Sequence, residues 1–372
     1  MKRLTARHKT WLERHARLNQ RNKLRRRKIL KLRRLGLAEE KTWGVDLPPG
    51  VRMKNPRGTR PILEIDVPKK LSLSTNYEEV MTFFERLREF AKPFRHRIVL
   101  QFVTIESISP GATLMLAAEL DRWRRRYDFR LRPLRFDKWN PAVRRHLYQM
   151  GLFELLGVPP GLAPAMGDLT SGPVELIRFR SGELADGALA AELRAAIEGV
   201  AGNISEELRS RLFEALTEAM TNVGQHAYPE DGNYAAPPCG KRWWMSGFFD
   251  RVEGRIGVSF FDQGVGIPAT LPRVNLWERV RGYLAEWSAP VDDHSALIRA
   301  AVTARRTQAE ESGRGHGLED VRRFVDAGND GRLRILSGRG EYVYHRGGGE
   351  EVFRHSSSIG GTLIQWDFSR PN

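Results

Sequence analysis

The hydrophobic pattern alternates between short apolar runs and amphipathic stretches from about residue 60 onwards. Runs at 61–66 and 98–103 are rich in Ile, Val, Leu and Phe, which predicts strands, and helical periodicity at 77–91 lies between them. The pattern also predicts two helices and one strand, at 112–126, 141–150 and 129–134. Because strands and helices alternate, this part of the chain is predicted to be an α/β unit.

Prolines and glycines interrupt the pattern at 157–173, a composition that disfavours both helix and sheet. We therefore predict a linker there, which separates a domain at 57–156 from a second domain at 174–372, with a basic helical tail at 1–40. The second domain contains further predicted strands and helices, at 174–180, 187–199, 243–250, 255–262, 295–306 and 332–337. The predicted fold class of the whole chain is α/β (α+β).

One helix of the second domain, predicted around 214–227, has two distinct faces. Glu214, Glu218, Asn222 and His226 fall four residues apart and share one side. The opposite side carries apolar residues, namely Leu208, Leu212, Leu216, Ala219 and Val223. The polar side is either a solvated surface or a site for chemistry. An amide oxygen can ligate a hydrated Mg²⁺ that carries nucleotide phosphates, while a carboxylate one turn away orients a water or hydroxyl.

A predicted strand ends at Asp262 and is followed by Gly264 and Gly266. The Asp carboxylate can accept a hydrogen bond from an adenine amino group, and glycines let a base approach the backbone closely. The same Asp-x-Gly-x-Gly pattern also occurs in ordinary hairpin turns.

Two more glycine motifs follow. Gly313, Gly315 and Gly317 precede a helical pattern, so their N–H groups are suited to phosphate oxygens, although a flexible loop would have the same composition. Gly361 and Thr362 begin a predicted strand, where the Thr hydroxyl would lie beside the proposed adenine-binding Asp.

In this order the four motifs resemble the nucleotide-binding boxes of the GHKL ATPase superfamily, and the segment around Glu218 is most similar to anti-sigma-factor serine kinases. The resemblance covers 174–372 and implies a Bergerat fold, a mixed sheet backed by helices, that binds ATP and Mg²⁺. It implies that Glu218 is the catalytic base and that Asn222 ligates Mg²⁺. The implied cofactor-binding residues are Asn222, Asp262, Gly264, Gly266, Gly313, Gly315, Gly317 and Thr362.

The first domain resembles a STAS domain, the fold of anti-sigma-factor antagonists. The resemblance rests on the segment Ile108-Ser109-Pro110-Gly111 after a buried strand and on the apolar runs at 113–116 and 150–155. It implies that Ser109 is a phosphorylation site. The family has Asp before and Ser after this position, where this chain has Ile and Pro, so both a phosphorylated and a repurposed serine remain open.

The net charge of +16 is concentrated in the tail, because residues 1–36 hold 15 Lys and Arg and one Glu, and the rest of the chain carries only +2. Such a segment favours an acidic partner, and nucleic acid is the partner we expect, with a disordered solubilising arm as the alternative. Residues 2–35 contain no Gly or Pro, which permits a helix.

The single cysteine, Cys239, excludes an intramolecular disulfide and fits a reducing compartment. No run of about 18 apolar residues is present, so no transmembrane segment is expected, and we predict a cytoplasmic protein.

Together these features predict a Mg-ATP-binding regulatory protein that controls a protein–protein interaction, through serine/threonine kinase activity or slow ATP hydrolysis. The alternative is a non-catalytic nucleotide-binding module that the basic tail tethers to nucleic acid. A protein partner is expected, and the sequence leaves a homodimer open.

Overall fold

The computed structural model describes residues 47–54, 61–90, 97–127, 131, 133–162, 168–202, 204–312, 325–326 and 329–369. The basic tail predicted at 1–40 lies outside them. So do the glycines of the third motif, Gly313, Gly315 and Gly317.

The first part of the chain forms two small sheets. In the larger one, β2 (Ile62–Asp66) lies between β1 (Val51–Lys54), to which it is antiparallel, and β4 (Arg97–Gln101), to which it is parallel. A second parallel pair joins β3 (Lys70–Leu71) to β5 (Ser107–Ile108). The two strands predicted from the longest apolar runs, β2 and β4, are confirmed.

Four helices surround these strands: α1 (Tyr77–Phe90), α2 (Pro110–Tyr127), α3 (Pro141–Gln149) and α4 (Leu152–Leu155). The first three confirm predicted helices. The strand predicted at 129–134 is not formed at residues 131, 133 and 134, and Pro133 gives the reason, because it has no N–H to donate to a ladder.

The segment predicted as a linker, 157–173, packs onto the strands and helices that precede it. We call the described residues before 157 the first unit. It contains a 3₁₀ turn, Pro160–Leu162, and residues 168–173 form neither helix nor strand. Val158 and Leu169 are nevertheless buried in the same core as α1 and α2.

The second part of the chain is built on an eight-stranded sheet. Its strands are β6 (Val174–Leu176), β7 (Arg180–Gly182), β8 (Trp243–Asp250), β9 (Arg255–Asp262), β10 (Asn329–Ser337), β11 (Gly340–His345), β12 (Gly349–Arg354) and β13 (Thr362–Ser369). Their order is β12-β11-β10-β13-β9-β8-β6, and β7 also pairs with β8.

Every strand pair described in this sheet is antiparallel, so the expectation of a mixed sheet is wrong here. The physical reason is the short connections, because turns of two to four residues join β8 to β9, β10 to β11 and β11 to β12, and only antiparallel strands can be joined so closely. The strand predicted at 174–180 is divided into β6 and β7.

Helices cover one face of this sheet. The helices of this part are α5 (Gly187–Ala201), α6 (Glu206–Asn222), α7 (Ile267–Thr270), α8 (Trp277–Glu286) and α9 (His294–Ser312). Residues of α5, α6, α8 and α9 form one core with the sheet. Among the described residues, no helix is both long enough and apolar enough to cross a membrane.

The opposite face of the sheet is covered by α2, which contacts β8 and β9. Trp244, Phe261 and Leu363 of the sheet therefore share a core with the first unit. All residues of α2 from Gly111 to Trp123 are buried, as expected for a helix packed on all sides. The molecule thus has three layers, with the large sheet between helices on one side and the first unit on the other.

Candidate functional site

The two-faced helix is α6, and its beginning follows from local sequence. The Ser205 hydroxyl accepts from the Leu208 N–H at 3.2 Å, and two glutamates occupy the first turn, where they interact favourably with the helix dipole. The predicted apolar face is confirmed, because all five of its residues are buried against the sheet and α5: Leu208, Leu212, Leu216, Ala219 and Val223.

The structure divides the polar face of α6. Asn222 Nδ2 donates to Glu218 Oε1 at 2.7 Å, whereas Glu214 pairs with the neighbouring Arg211 at 3.0 Å. An ionised carboxylate only accepts hydrogen bonds, so the amide NH₂ of Asn222 must face Glu218 and its amide oxygen is left for another ligand.

After Asn222 the helix widens into a π-turn, Val223–Ala227. Single π-turns are frequent at functional sites. Here the turn brings the Ala227 carbonyl to the Val265 N–H at 2.9 Å. A Cβ on Gly264 would lie 2.3 Å from the same carbonyl oxygen, so this position requires glycine. The end of α6 and the loop after β9 are thereby fixed to each other.

Asp262 is the last residue of β9 and is paired in register with Thr362, the first residue of β13. Its Oδ1 accepts from the Gly264 N–H at 2.8 Å. Burial raises the pKa of Asp262 to about 7, although hydrogen bonds from Gly264 and Thr362 act in the opposite direction. The carboxyl group is therefore poised between its neutral and charged forms near neutral pH.

This raised pKa predicts that the stability of the protein falls as pH rises. The carboxyl retains its proton in the folded state up to about pH 7 but loses it near pH 3.8 when unfolded, so ionisation destabilises the fold between these values. Asp262→Asn removes that dependence. Its stability advantage over the native chain should grow by about 2 kcal/mol between pH 5 and pH 8, measured by denaturant unfolding.

Asp292→Asn is the matched control, since Asp292 is exposed and its substitution should change stability equally at both pH values. A constant difference between Asp262→Asn and the native chain across this range would show that Asp262 ionises normally.

Ser337, at the end of β10, was not identified from the sequence. Its buried hydroxyl accepts from the Ile267 N–H at 2.8 Å and lies 3.0 Å from the Thr362 hydroxyl. It therefore joins the segment after Gly266 to the strand beside Asp262. A lone serine before a glycine gives no recognisable signal in the sequence.

These elements enclose a cavity. Its polar lining comes from Asn222, His226, Asp262, Thr270 and Thr362, with backbone at Gly266. The remaining lining residues are apolar or small and include Phe260, Ile267, Leu271, Val274, Leu276, Ala301 and Ile364. The sequence-predicted Glu218 and Gly264 lie next to the lining rather than in it. The volume is about 80 Å³, well below the roughly 300–1,000 Å³ of sites for drug-sized ligands, so a ligand larger than a ring would extend beyond it.

The donors here suit one kind of metal. The described residues contain no group of three His, Cys, Asp or Glu side chains that could hold a metal ion. A site with one protein oxygen, that of Asn222, fits Mg²⁺, which keeps several waters and binds through phosphates of its ligand.

A buried polar cluster connects this site to the first unit. Gln263, directly after Asp262, donates through Nε2 to Glu119 Oε2 of α2 at 3.2 Å, and Glu119 also pairs with Arg88 and Arg122. The Gln263 N–H donates to the Tyr228 hydroxyl at 2.9 Å. Sequence reasoning missed this cluster. The helix α2 carries further charged residues directly after Leu120, so nothing in its sequence distinguishes Glu119.

Ser109 lies at the start of α2, apart from the cavity. Its half-buried hydroxyl is 3.4 Å from the Ala112 N–H, and its carbonyl accepts from Thr113. A phosphate at such a helix start would be favoured by the helix dipole. Phosphorylation of Ser109 stays a prediction.

Comparison with protein-family models gives no match, and comparison with curated protein sequences gives none either. The functional argument therefore rests on the motifs and on the geometry of the cavity.

Proposed function

We propose that the protein binds Mg-ATP and uses it to control a protein–protein interaction, with serine/threonine kinase activity or slow ATP hydrolysis. The observation that carries the proposal is the convergence of separate motifs on one cavity. Asn222, Asp262, Gly266 and Thr362 come from three distant parts of the chain and line the same space.

The chemistry of each group supports a nucleotide. A largely apolar cavity with a buried carboxylate suits a purine, because the carboxylate accepts from an exocyclic amino group while the ring contacts Phe260 and Ile364. Asn222 and Glu218 lie on one side of this space. With Mg²⁺ neutralising phosphate charge, Glu218 would take the proton from the attacking hydroxyl or water.

Regulation of a protein interaction is supported by the contact between Gln263 and Glu119. The strand end proposed to bind the base is hydrogen-bonded to a helix that belongs to the first unit. A shift of the 262–266 segment on nucleotide binding would therefore be transmitted to α2. In this proposal the STAS-like unit is the element that responds.

The test is to incubate the full chain with Mg²⁺ and ATP labelled on the γ-phosphate, and to measure binding by equilibrium dialysis, label on protein and free phosphate. We expect saturable ATP binding, and Mg²⁺-dependent appearance of one of the two products. At pH 8, where the Asp262 carboxyl is ionised, Asp262→Asn should weaken binding about 10- to 100-fold, because it removes the acceptor of a charge-assisted hydrogen bond.

Arg211→Ala is a suitable control, since it changes the surface of α6 outside the cavity and should bind ATP like the native chain. Absence of ATP binding at millimolar concentration, or equal affinity of native chain and Asp262→Asn, would refute the proposal. Binding without product would favour a non-catalytic nucleotide-binding module.

A further inference from the structure

The outer strand of the large sheet, β12, has an open side. It pairs with β11 in unbroken register, and the described part of the chain contains no strand on its other side. Val352 and Phe353 are 41% and 44% exposed. Natural sheets protect such edges with proline, bulges, very short strands or charged side chains. Over its six residues β12 has none of the first three, and its protection is limited to the charged residues Glu350, Glu351 and Arg354.

The hydrogen-bond pattern tells which backbone groups of β12 point outward. The Arg346 N–H donates to the Gly331 carbonyl and the His355 N–H donates to the Arg339 carbonyl. In an antiparallel ladder, alternate residues bond to opposite neighbours. The even-numbered residues of β11 therefore bond to β10 and its odd-numbered residues to β12. By the register of β11 and β12, the odd-numbered residues of β12 point inward, and Glu350, Val352 and Arg354 present their N–H and C=O groups outward.

We propose that a second copy of this chain pairs with β12, antiparallel, about a two-fold axis at Val352. In this register Val352 faces Val352 of the second copy, and Glu350 of each copy faces Arg354 of the other. The outward N–H and C=O groups of all three residues are then hydrogen-bonded. Opposite charges in directly facing positions stabilise a strand pair.

Other two-fold registers fit less well. An axis at Glu350, Glu351 or Arg354 opposes like charges, which destabilises the pair. An axis at Phe353 leaves only residues 352–354 of β12 paired. Among the two-fold registers of β12 with its own copy, the charge pattern therefore favours the one centred on Val352.

The dimer would place α9 beside the two-fold axis. Arg299 of α9 contacts Glu350 at 3.0 Å, and Arg354 pairs with Asp293 just before this helix. Ala301 of the same helix lines the cavity. The cavities of the two copies would therefore be connected through α9 of each chain and the paired β12 strands. The dimer itself does not depend on ATP binding.

Cysteine cross-linking tests the register. In a Cys239→Ser background, Val352→Cys opposes its own copy at a Cα separation of about 5.5 Å, which lies within the roughly 4.4–6.8 Å of disulfides. We expect mild oxidation of the full chain to give a covalent dimer with Val352→Cys, and not with Phe353→Cys or with Val252→Cys. Val252 lies in the β8–β9 turn and is 79% exposed, more than Val352, so lack of access would not explain a missing cross-link. Cross-linking through Phe353→Cys alone, or with none of the variants, would overturn the proposal.

Sedimentation of the full chain gives a second readout that needs no oxidation. The native chain should be dimeric at tens of micromolar, and Val352→Lys, which opposes two like charges at the axis, should raise the dissociation constant at least tenfold. Val252→Lys should leave it unchanged, and circular dichroism should show both variants folded. A monomeric native chain, or equal dissociation constants for Val352→Lys and Val252→Lys, would refute the edge-paired dimer.

Discussion

Replacing Glu218 by glutamine should lower phosphoryl transfer or ATP hydrolysis by about 10²- to 10⁴-fold while changing ATP affinity by less than about threefold. This is the range that a general base contributes. Glutamine has nearly the same shape and its side-chain oxygen can still accept from Asn222 Nδ2, so the 2.7 Å contact is retained and only the basic group is lost. Turnover with saturating Mg-ATP and equilibrium binding are the two measurements.

Glu214→Gln is the matched control on the same face of α6, one turn earlier. Glu214 pairs with Arg211 and does not line the cavity, so its substitution should leave both quantities unchanged. Full turnover in Glu218→Gln would exclude Glu218 as the base. Loss of binding in the same variant would instead make it a positioning residue for Asn222.

The second large effect is expected on stability, from Glu119→Ala. Glu119 is fully buried between Arg88 and Arg122, both less than a tenth exposed, and it accepts from Gln263. Removing the carboxylate leaves two buried guanidinium groups without their charge partner, which costs about 3–5 kcal/mol. Denaturant unfolding followed by tryptophan fluorescence measures this loss.

Because α2 shares a core with the large sheet, we expect Glu119→Ala to lower the stability of both parts in a single transition. Glu154→Ala is the control. It also contacts two arginines, Arg124 and Arg178, but it is 52% exposed, so its loss should cost about 1 kcal/mol or less. Equal losses of stability in the two variants would show that burial does not increase the contribution of the Glu119 ion pairs to the free energy of unfolding.

The substitutions at Glu218 and Glu119 test two separate parts of the proposed function. Glu218 tests the chemistry at the cavity, whereas Glu119 tests the connection between the cavity and the first unit. If Glu119→Gln, a milder change, altered ATP affinity without abolishing folding, the contact between α2 and Gln263 would be a route of regulation. The charge-neutral variant keeps one hydrogen-bond acceptor for Gln263.

Local periodicity was sufficient for much of the fold. The apolar runs of β2 and β4 and the matched pair β8 and β9 were predicted with ends within two residues, whereas α6 was predicted at 214–227 and begins eight residues earlier, at Glu206. These elements have strong patterns because burial of one face, or of both faces, requires apolar residues at regular positions along the chain. Strands β11 and β12 were not predicted, since three consecutive glycines at 347–349 and several charged residues interrupt the apolar pattern at 340–354.

In the candidate site, too, the sequence predicted some features and not others. Order and spacing in the sequence selected Asn222, Asp262, Gly266 and Thr362, and these residues line one cavity. Periodicity placed Glu214 and Glu218 on one face but could not distinguish them. Their hydrogen-bonding partners differ, and these partners depend on side-chain positions in the folded structure, which periodicity does not show.

The sequence by itself determined six helices, the strands β2, β4, β8 and β9 and the residues that carry the candidate chemistry, because each depends on neighbours a few positions away. The helices α4, α7 and α8 were not predicted. Tertiary structure alone decided that α2 is buried on all sides, that Glu119 meets Gln263 and that Ser337 joins Ile267 to Thr362. Glu119 and Gln263 are 144 positions apart. Such contacts form only when the large sheet brings distant segments together, so no local pattern marks them.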